Sequence, residues 1–295
     1  MDKNKLYSLL PLLAGFFWGL TGIFVRRLNG LGINNLHLTF FRCSISALAI
    51  IVYYLIKDKK QLKIAPKDLW CFFGTGILSV FTFSVSYFYT LIHASISVAV
   101  ILSYTAPFFV MILSAILFKE KITGVKIISL IMATLGCFLL CGTDTNTKIT
   151  LLIVAVGLCS GLAYASYSIF SKFVVDKYPP LIITAYTFIF ASCGSVFLVD
   201  FGKFAEVVSV SPSSLLYITL FALVSTLLPY TLLTVGLRHI EPGKAAILTT
   251  MEVLTASLCG IFIFGEKITA AGILGILLIL AAVILLNIKS IGKKF

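Results

Sequence analysis

Three features predict an all-α integral membrane protein with ten transmembrane helices in two inverted five-helix repeats. Of 295 residues, 60% are hydrophobic and only 12% charged, a balance too apolar for a water-soluble domain. Ten apolar segments follow one another through short connections, each near the roughly 20 residues that cross a hydrocarbon core. A shift of 146 residues lays 91–123 over 237–269 without a gap, with ten of thirty-three positions identical, including His93 with His239 and Glu120 with Glu266. Self-similarity at half the chain length marks a duplicated unit.

The first predicted span, 6–25, follows Lys3 and Lys5 in the manner of a signal peptide. Its Gly15-x-x-x-Gly19 recurs as Gly157-x-x-x-Gly161 at the head of the second half. A segment with a retained counterpart is expected to be retained itself. The next spans are 37–56, 69–91, 95–118 and 125–141, and together they make a first repeat over 1–142. Residues 142–149 form the joint. The second repeat, 150–288, holds spans 150–170, 181–201, 215–237, 245–264 and 270–288. Five is odd, so the second half is expected to run through the bilayer inverted relative to the first. The Gly-x-x-x-Gly elements are expected to let neighbouring helices approach backbone to backbone.

The net charge of +12 follows membrane topology and gives no reason to invoke nucleic acid. With the N-terminus inside, one inner connection alone holds Lys57, Lys59, Lys60, Lys63 and Lys67, and further lysines fall at Lys119, Lys121, Lys126, Lys172, Lys177, Lys244, Lys289, Lys293 and Lys294. The outer segments share only Arg26, Arg27, Lys148, Lys203 and Lys267. Cytoplasmic loops collect Lys and Arg in this way, which places both termini in the cytoplasm and the chain in the cytoplasmic membrane. All seven cysteines fall inside predicted spans, where a thiol behaves as a small apolar side chain.

Two charges sit well inside the spans. Glu252 is seven residues into the ninth, about 10 Å from its inner end, too deep for so short a side chain to reach the headgroups. It is the candidate substrate contact or protonatable coupling group, against a structural, neutral or Arg-paired carboxyl. Arg42 lies about 7 Å below the outer end of the second span, within reach of a snorkelling side chain, and reads first as a structural or gating anchor. Ser160, Tyr164, Tyr167, Ser168 and Ser171 share one face of the sixth span at helical spacing, and that face is expected to be wet. Thr219, Thr226, Tyr230 and Thr234 repeat the pattern in the eighth, while Ser79, Ser86, Tyr87, Ser103, Tyr104 and Thr249 extend it to the third, fourth and ninth. Trp18, mid-span in the first helix, is a candidate for the same cavity. Tyr7, Tyr53 and Tyr54 fit an interfacial belt. Pro107 and Pro229 stand mid-span, where each removes a backbone donor and frees the carbonyl of Ser103 or Ser225, so kinks are expected at both. His93 and His239 read as inherited turn residues and not as ligands.

Catalytic signatures are absent from the sequence: it has no Gly-x-x-x-x-Gly-Lys loop, no His-Glu-x-x-His, no Gly-x-Ser-x-Gly and no cluster of His, Cys and carboxylates. This argues against an enzyme and against any metal or other cofactor, and leaves a gradient as the driving force.

Phe118-Lys119-Glu120-Lys121-Ile122-Thr123 and Phe264-Gly265-Glu266-Lys267-Ile268-Thr269 close the fourth and ninth spans. In these elements, and over essentially its whole length, the chain resembles the EamA-type members of the drug/metabolite transporter superfamily. That resemblance implies ten spans in two inverted halves and the export or exchange of amino acids and other small metabolites. Arg42 in Phe40-Phe41-Arg42 matches a frequent second-span arginine of that family. The ninth span of such proteins often carries Glu-Pro; here Glu252-Val253 keeps the acid and is expected to lose the kink, while Pro107 holds the corresponding place in the first half. Glu120 and Glu266, at span ends, read as structural turn residues.

Together these readings predict a secondary transporter of small, amine-bearing or aromatic metabolites such as amino acids. It would work outward, by alternating access around a cavity built by spans one, three, four, six, eight and nine. The partners expected are the lipid bilayer, a small-molecule substrate and protons as the candidate coupling ion, with no nucleic acid. The alternative is a non-transporting membrane receptor or scaffold.

Overall fold

The computed structural model describes the backbone over residues 3–141 and 150–288 and the side chains over 6–141 and 150–287. The joint at 142–149 with Lys148, the tail with Lys289, Lys293 and Lys294, and the side chains of Lys3 and Lys5 lie outside the described residues. Among the described residues every regular element is helical. Ten helices are long and apolar enough to cross a membrane: α1 Leu6–Asn29, α2 Asn35–Lys57, α3 Pro66–His93, α4 Ile96–Phe118, α5 Gly124–Cys141, α6 Leu151–Val174, α7 Pro180–Leu198, α8 Ser213–His239, α9 Pro242–Phe264 and α10 Ala270–Asn287. Leu48, Leu55, Ile116, Phe262 and Leu277 point outward with more than half their surface exposed, as an acyl-chain solvent allows.

Helix starts are set by side-chain caps. The Asn34 side chain accepts from the amides of Leu36 and His37 at 3.0 and 2.9 Å; Ser95 caps α4 through Val98 N, and Thr150 caps α6 through Ile153 N, both at 3.3 Å. The ends of α4 and α9 use one device, a left-handed residue at Lys119 (φ 55°) and at Gly265 (φ 68°), which are equivalent under the 146-residue shift. The stretch after α7, expected to be a plain connection, instead forms a helix, Phe201–Val210, capped by Asp200 through Lys203 N at 3.1 Å. That hydrogen bond holds the Asp200 carboxyl below the usual carboxylate range. Phe204 of this helix stacks on Phe41 of α2 with centroids 3.7 Å apart.

Packing repeats between the halves. Counterpart helices face one another, α2 against α7 and α5 against α10. The first helix of each half crosses over to the other: α1 lies on α8 and α9, and α6 on α3 and α4. Glycines set the closest approaches. A Cβ on Gly15 would meet Thr249 O at 2.7 Å and Met251 Cβ at 3.1 Å, and one on Gly161 would meet Thr105 Oγ1, Leu102 O and Ser103 O. Thr249 and Met251 are the 146-shift counterparts of Ser103 and Thr105, so Gly15 corresponds to Gly161. The expected match of Gly15-x-x-x-Gly19 to Gly157-x-x-x-Gly161 is therefore off by one helical turn. Gly19 packs on Thr255 and Glu252 O, whereas Gly157 packs on the Leu102 side chain, and the two have no common origin in the packing.

The Glu120 and Glu266 turns lie at opposite ends of the bundle. At one end Tyr7 of α1 stacks on His239 at 3.6 Å, and the chain then reaches Glu241, which pairs with Lys126 beside Glu120. Towards the other end of α1, roughly 28 Å away by helical rise, Arg26 pairs with Glu266. Arg26 and Arg27 belong to the last turn of α1, which runs four residues beyond the predicted span.

Candidate functional site

The site forms where two helices break. α4 interrupts at Tyr104 and Thr105 and α9 at Thr249 and Thr250, equivalent places in the two halves. Hydroxyls hold both interruptions by taking up carbonyls of the preceding turn. Ser103 and Thr105 donate to Val100 O and Leu102 O at 2.8 and 2.6 Å; Thr249 and Thr250 donate to Ala246 O and Ile247 O at 2.9 and 2.7 Å. The expectation that α9 loses its kink with Val253 in place of proline is thus corrected. Close packing of Gly15 against Thr249 O and paired threonine back-bonds hold the break without proline. Pro107 is buried in the first turn after the α4 break, where its missing donor costs nothing.

The kink expected at Pro229 takes the form of a π-helical segment, Leu223–Leu227, immediately before it. A π-turn moves the hydrogen-bond ladder by one residue and so steps around an absent donor. α3 contains a second such segment, Gly74–Phe81, over the equivalent stretch but without a proline.

Glu252 sits in the first turn of the restarted part of α9, at the end of the helix dipole that favours an anion. Because α9 begins at Pro242, three residues before the predicted start, Glu252 lies about 15 Å from that end of the helix. Its carboxylate accepts from Tyr164 Oη at 3.2 Å, and the Tyr104 hydroxyl is within hydrogen-bonding reach. Tyr87 lies within range of the same carboxylate.

Tyr164 also lines a narrow cavity of about 20 Å³, close to the room that one water needs. Trp18 of α1, Ser79 and Phe83 of α3 and Val110 of α4 line one side; Tyr164, Tyr167 and Ser168 of α6 line another. Tyr230 and Leu233 of α8 with Ala246 and Thr249 of α9 complete the wall. The six helices are those the sequence assigns to the cavity. Trp18 stands edge-on to Tyr230 and Tyr164, with centroids 5.1 and 6.0 Å apart. Tyr167 shares a hydrogen with Thr234 Oγ1 at 2.5 Å.

Of the residues singled out in the sequence, Trp18, Tyr164, Tyr167, Ser168, Tyr230 and Thr249 line this cavity, and Tyr87 and Tyr104 gather near Glu252 instead. Ser103 is spent on its own helix, as are Ser160, bonded to Gly157 O at 2.6 Å, and Thr234, bonded to Tyr230 O at 2.7 Å. The hydroxyl face of α6 is therefore largely packing, with Tyr164, Tyr167 and Ser168 its cavity-lining part. Arg42 lies half-buried over the Phe221 ring, 5.7 Å from its centroid. Phe83, Val110, Leu233 and Ala246 were not singled out; apolar residues in apolar helices carry no sequence signal that separates cavity from lipid.

The end that carries most of the lysines is tied across the two halves by ion pairs. Lys126 Nζ, only 8% exposed, donates to Glu120 Oε1 and Glu241 Oε2 at 2.6 Å each and to Lys121 O at 2.9 Å. Glu120 Oε2 also accepts from Gly243 N at 3.3 Å. Glu120 comes from the α4–α5 turn, Lys126 from the first turn of α5, and Glu241 and Gly243 from the start of α9, so this partly buried cluster ties one half to the other. Lys177 and Tyr178 grip Asp68 at 2.7 and 2.8 Å, and the hydrogen bond to Asp68 holds the Lys177 ammonium above the usual lysine range. At the far end the equivalent glutamate, Glu266, pairs with Arg26 while both side chains stay about half exposed.

Known proteins fit this architecture. The sequence pattern of the EamA-like transporter family matches residues 5–142 and 151–288. The chain is 26% identical over 286 residues to "Uncharacterized transporter YwfM" of Bacillus subtilis (strain 168), covering 97% of this chain and 95% of the relative. It is 27% identical to an "Uncharacterized transporter" of Archaeoglobus fulgidus, covering 93% of each. A 25% identity over 169 residues, 57% of each chain, links it to "Pseudopaline exporter CntI" of Pseudomonas aeruginosa (strain UCBPP-PA14). A solved crystal structure, 14% identical, matches the whole of both chains with a TM-score of 0.78 and shares the fold. The chain belongs to the EamA-like transporter family.

Proposed function

We propose that the protein is a secondary transporter that exports a small metabolite, such as an amino acid, across the cytoplasmic membrane by alternating access. The observation that carries this reading is one aromatic, hydroxyl-lined cavity shared by six helices from both halves, with Glu252 beside it. Two halves of five spans each, with the Glu120 and Glu266 turns at opposite ends, suit an inverted pair that rocks about a central site. With the lysine-rich end in the cytoplasm, both termini are cytoplasmic. In this reading the Lys126 cluster is the inner tie between the halves, which opens when the cavity faces the cytoplasm. The relative named as an exporter supports the outward direction. Glu252 is the contact for a substrate amine or for a coupling proton.

Counterflow in proteoliposomes tests the reading with a labelled amino-acid mixture. Saturable, trans-stimulated uptake is the expected result. Flux that never saturates, or no flux beside a ligand that binds, identifies a receptor or scaffold instead.

A further inference from the structure

Arg42 is a charge without an ion pair among the described residues. Lying seven residues into α2, it is about 10 Å below the helix start, a depth at which a cation is costly unless paired or hydrated. Several interior and rim cations are ion-paired: Arg26 with Glu266, Lys126 with Glu120 and Glu241, and Arg238 with Asp176. Among the described residues Arg42 makes neither an ion pair nor a side-chain hydrogen bond, and its guanidinium rests only on Phe221. Glu252 likewise accepts from a hydroxyl and makes no ion pair among the described residues.

An aromatic wall connects the two charges. Cys43, next to Arg42, packs with Phe188 and Tyr230; Tyr230 meets Trp18, Trp18 meets Tyr164, and Tyr164 donates to Glu252. Arg42 lies within electrostatic range of both Tyr230 and Glu252, so the two charges flank this aromatic wall, and among the described residues they form no ion pair with each other.

We propose that Arg42 is a specificity-determining residue that binds the anionic group of the solute while Glu252 binds its cationic group, so that the site selects zwitterions. This rests on reading the cavity as the transport site. A guanidinium offers a carboxylate two parallel hydrogen bonds. A solute with only one charge leaves the opposite protein charge uncompensated on binding, and that penalty provides the discrimination.

The test uses the purified full-length chain in nanodiscs of phosphatidylethanolamine and phosphatidylglycerol. Thermal-shift titration is run with the twenty common α-amino acids, their decarboxylated amines and their N-acetyl derivatives. At least one amino acid should bind, with its amine and its N-acetyl acid at least tenfold weaker. Arg42→Gln should lose at least tenfold for the amino acid while the amine binds at least as tightly as to the wild type, and Arg42→Lys should recover part of the loss. An amine that binds the wild type as tightly as its parent amino acid overturns the proposal, and so does wild-type affinity in Arg42→Gln. Either result leaves the transport reading standing if counterflow is saturable. Silence of the whole panel in both binding and flux overturns both. Should Arg42→Gln fail to fold, the wild-type panel and Arg42→Lys decide the matter.

Discussion

Lys126 shows how a residue's charge and its role can part company. The sequence counts it with the cytoplasmic lysines, yet the fold buries it against Glu120, itself only 4% exposed. Lys126→Met leaves that carboxylate buried and unpaired and is expected to cost about 3 kcal/mol, read as a fall in melting temperature that Glu120→Gln in the same chain partly restores. Glu252 stands out in the sequence because a carboxylate in mid-span is costly unless a cavity, a partner or a proton compensates it. Glu252→Gln keeps the shape and the tyrosine contacts while removing the charge, so the variant should fold and melt near wild type yet lose counterflow or lose its dependence on pH. Unchanged flux with an unchanged pH profile would remove Glu252 from the mechanism. The absence of an ion pair at Arg42 was not legible, since it depends on which carboxylates come near, and a snorkelling reading satisfied the sequence equally well.

Elements break where backbone and packing decide, and proline is one cause among several. α9 interrupts at Thr249 and Thr250 although position 253 is valine, because threonine back-bonds and the close approach of Gly15 hold the break. Val253→Pro should therefore be mild, costing about 1 kcal/mol for the Val253 N to Thr250 O hydrogen bond, whereas Ala256→Pro, within the restarted helix, should cost about 3 kcal/mol. Thermal melts of the two variants check the difference. The turn after α4 carries strain that its twin lacks. Lys119 is left-handed where the equivalent residue is Gly265, and Lys119→Gly is expected to raise stability by about 1 kcal/mol. Neither the α9 break nor the two π-helical segments could be read beforehand. A π-turn has no residue signature, and a threonine pair in an apolar helix more often signals nothing.

At the scale of the whole molecule the repeat carried most of the information. Matching residues 91–123 to 237–269 predicted two five-span halves, and the paired packing of α2 with α7 and α5 with α10 follows the same division. The Gly-x-x-x-Gly match failed because two short motifs one turn apart look alike in sequence, while only one register puts Gly15 and Gly161 against equivalent backbone. Cavity-lining apolar residues stayed hidden for a related reason: in a bilayer both the lipid face and the interior are apolar, so hydropathy cannot assign a face. The account depends on the halves facing opposite ways, with the Glu120 turn in the cytoplasm and the Glu266 turn outside. Single cysteines at Lys121 and Lys267, introduced after replacement of the native cysteines and probed on intact cells with a membrane-impermeant maleimide, measure this directly. Labelling of Lys267→Cys with protection of Lys121→Cys until the cells are lysed is the result predicted, and labelling of both or neither from outside would contradict it.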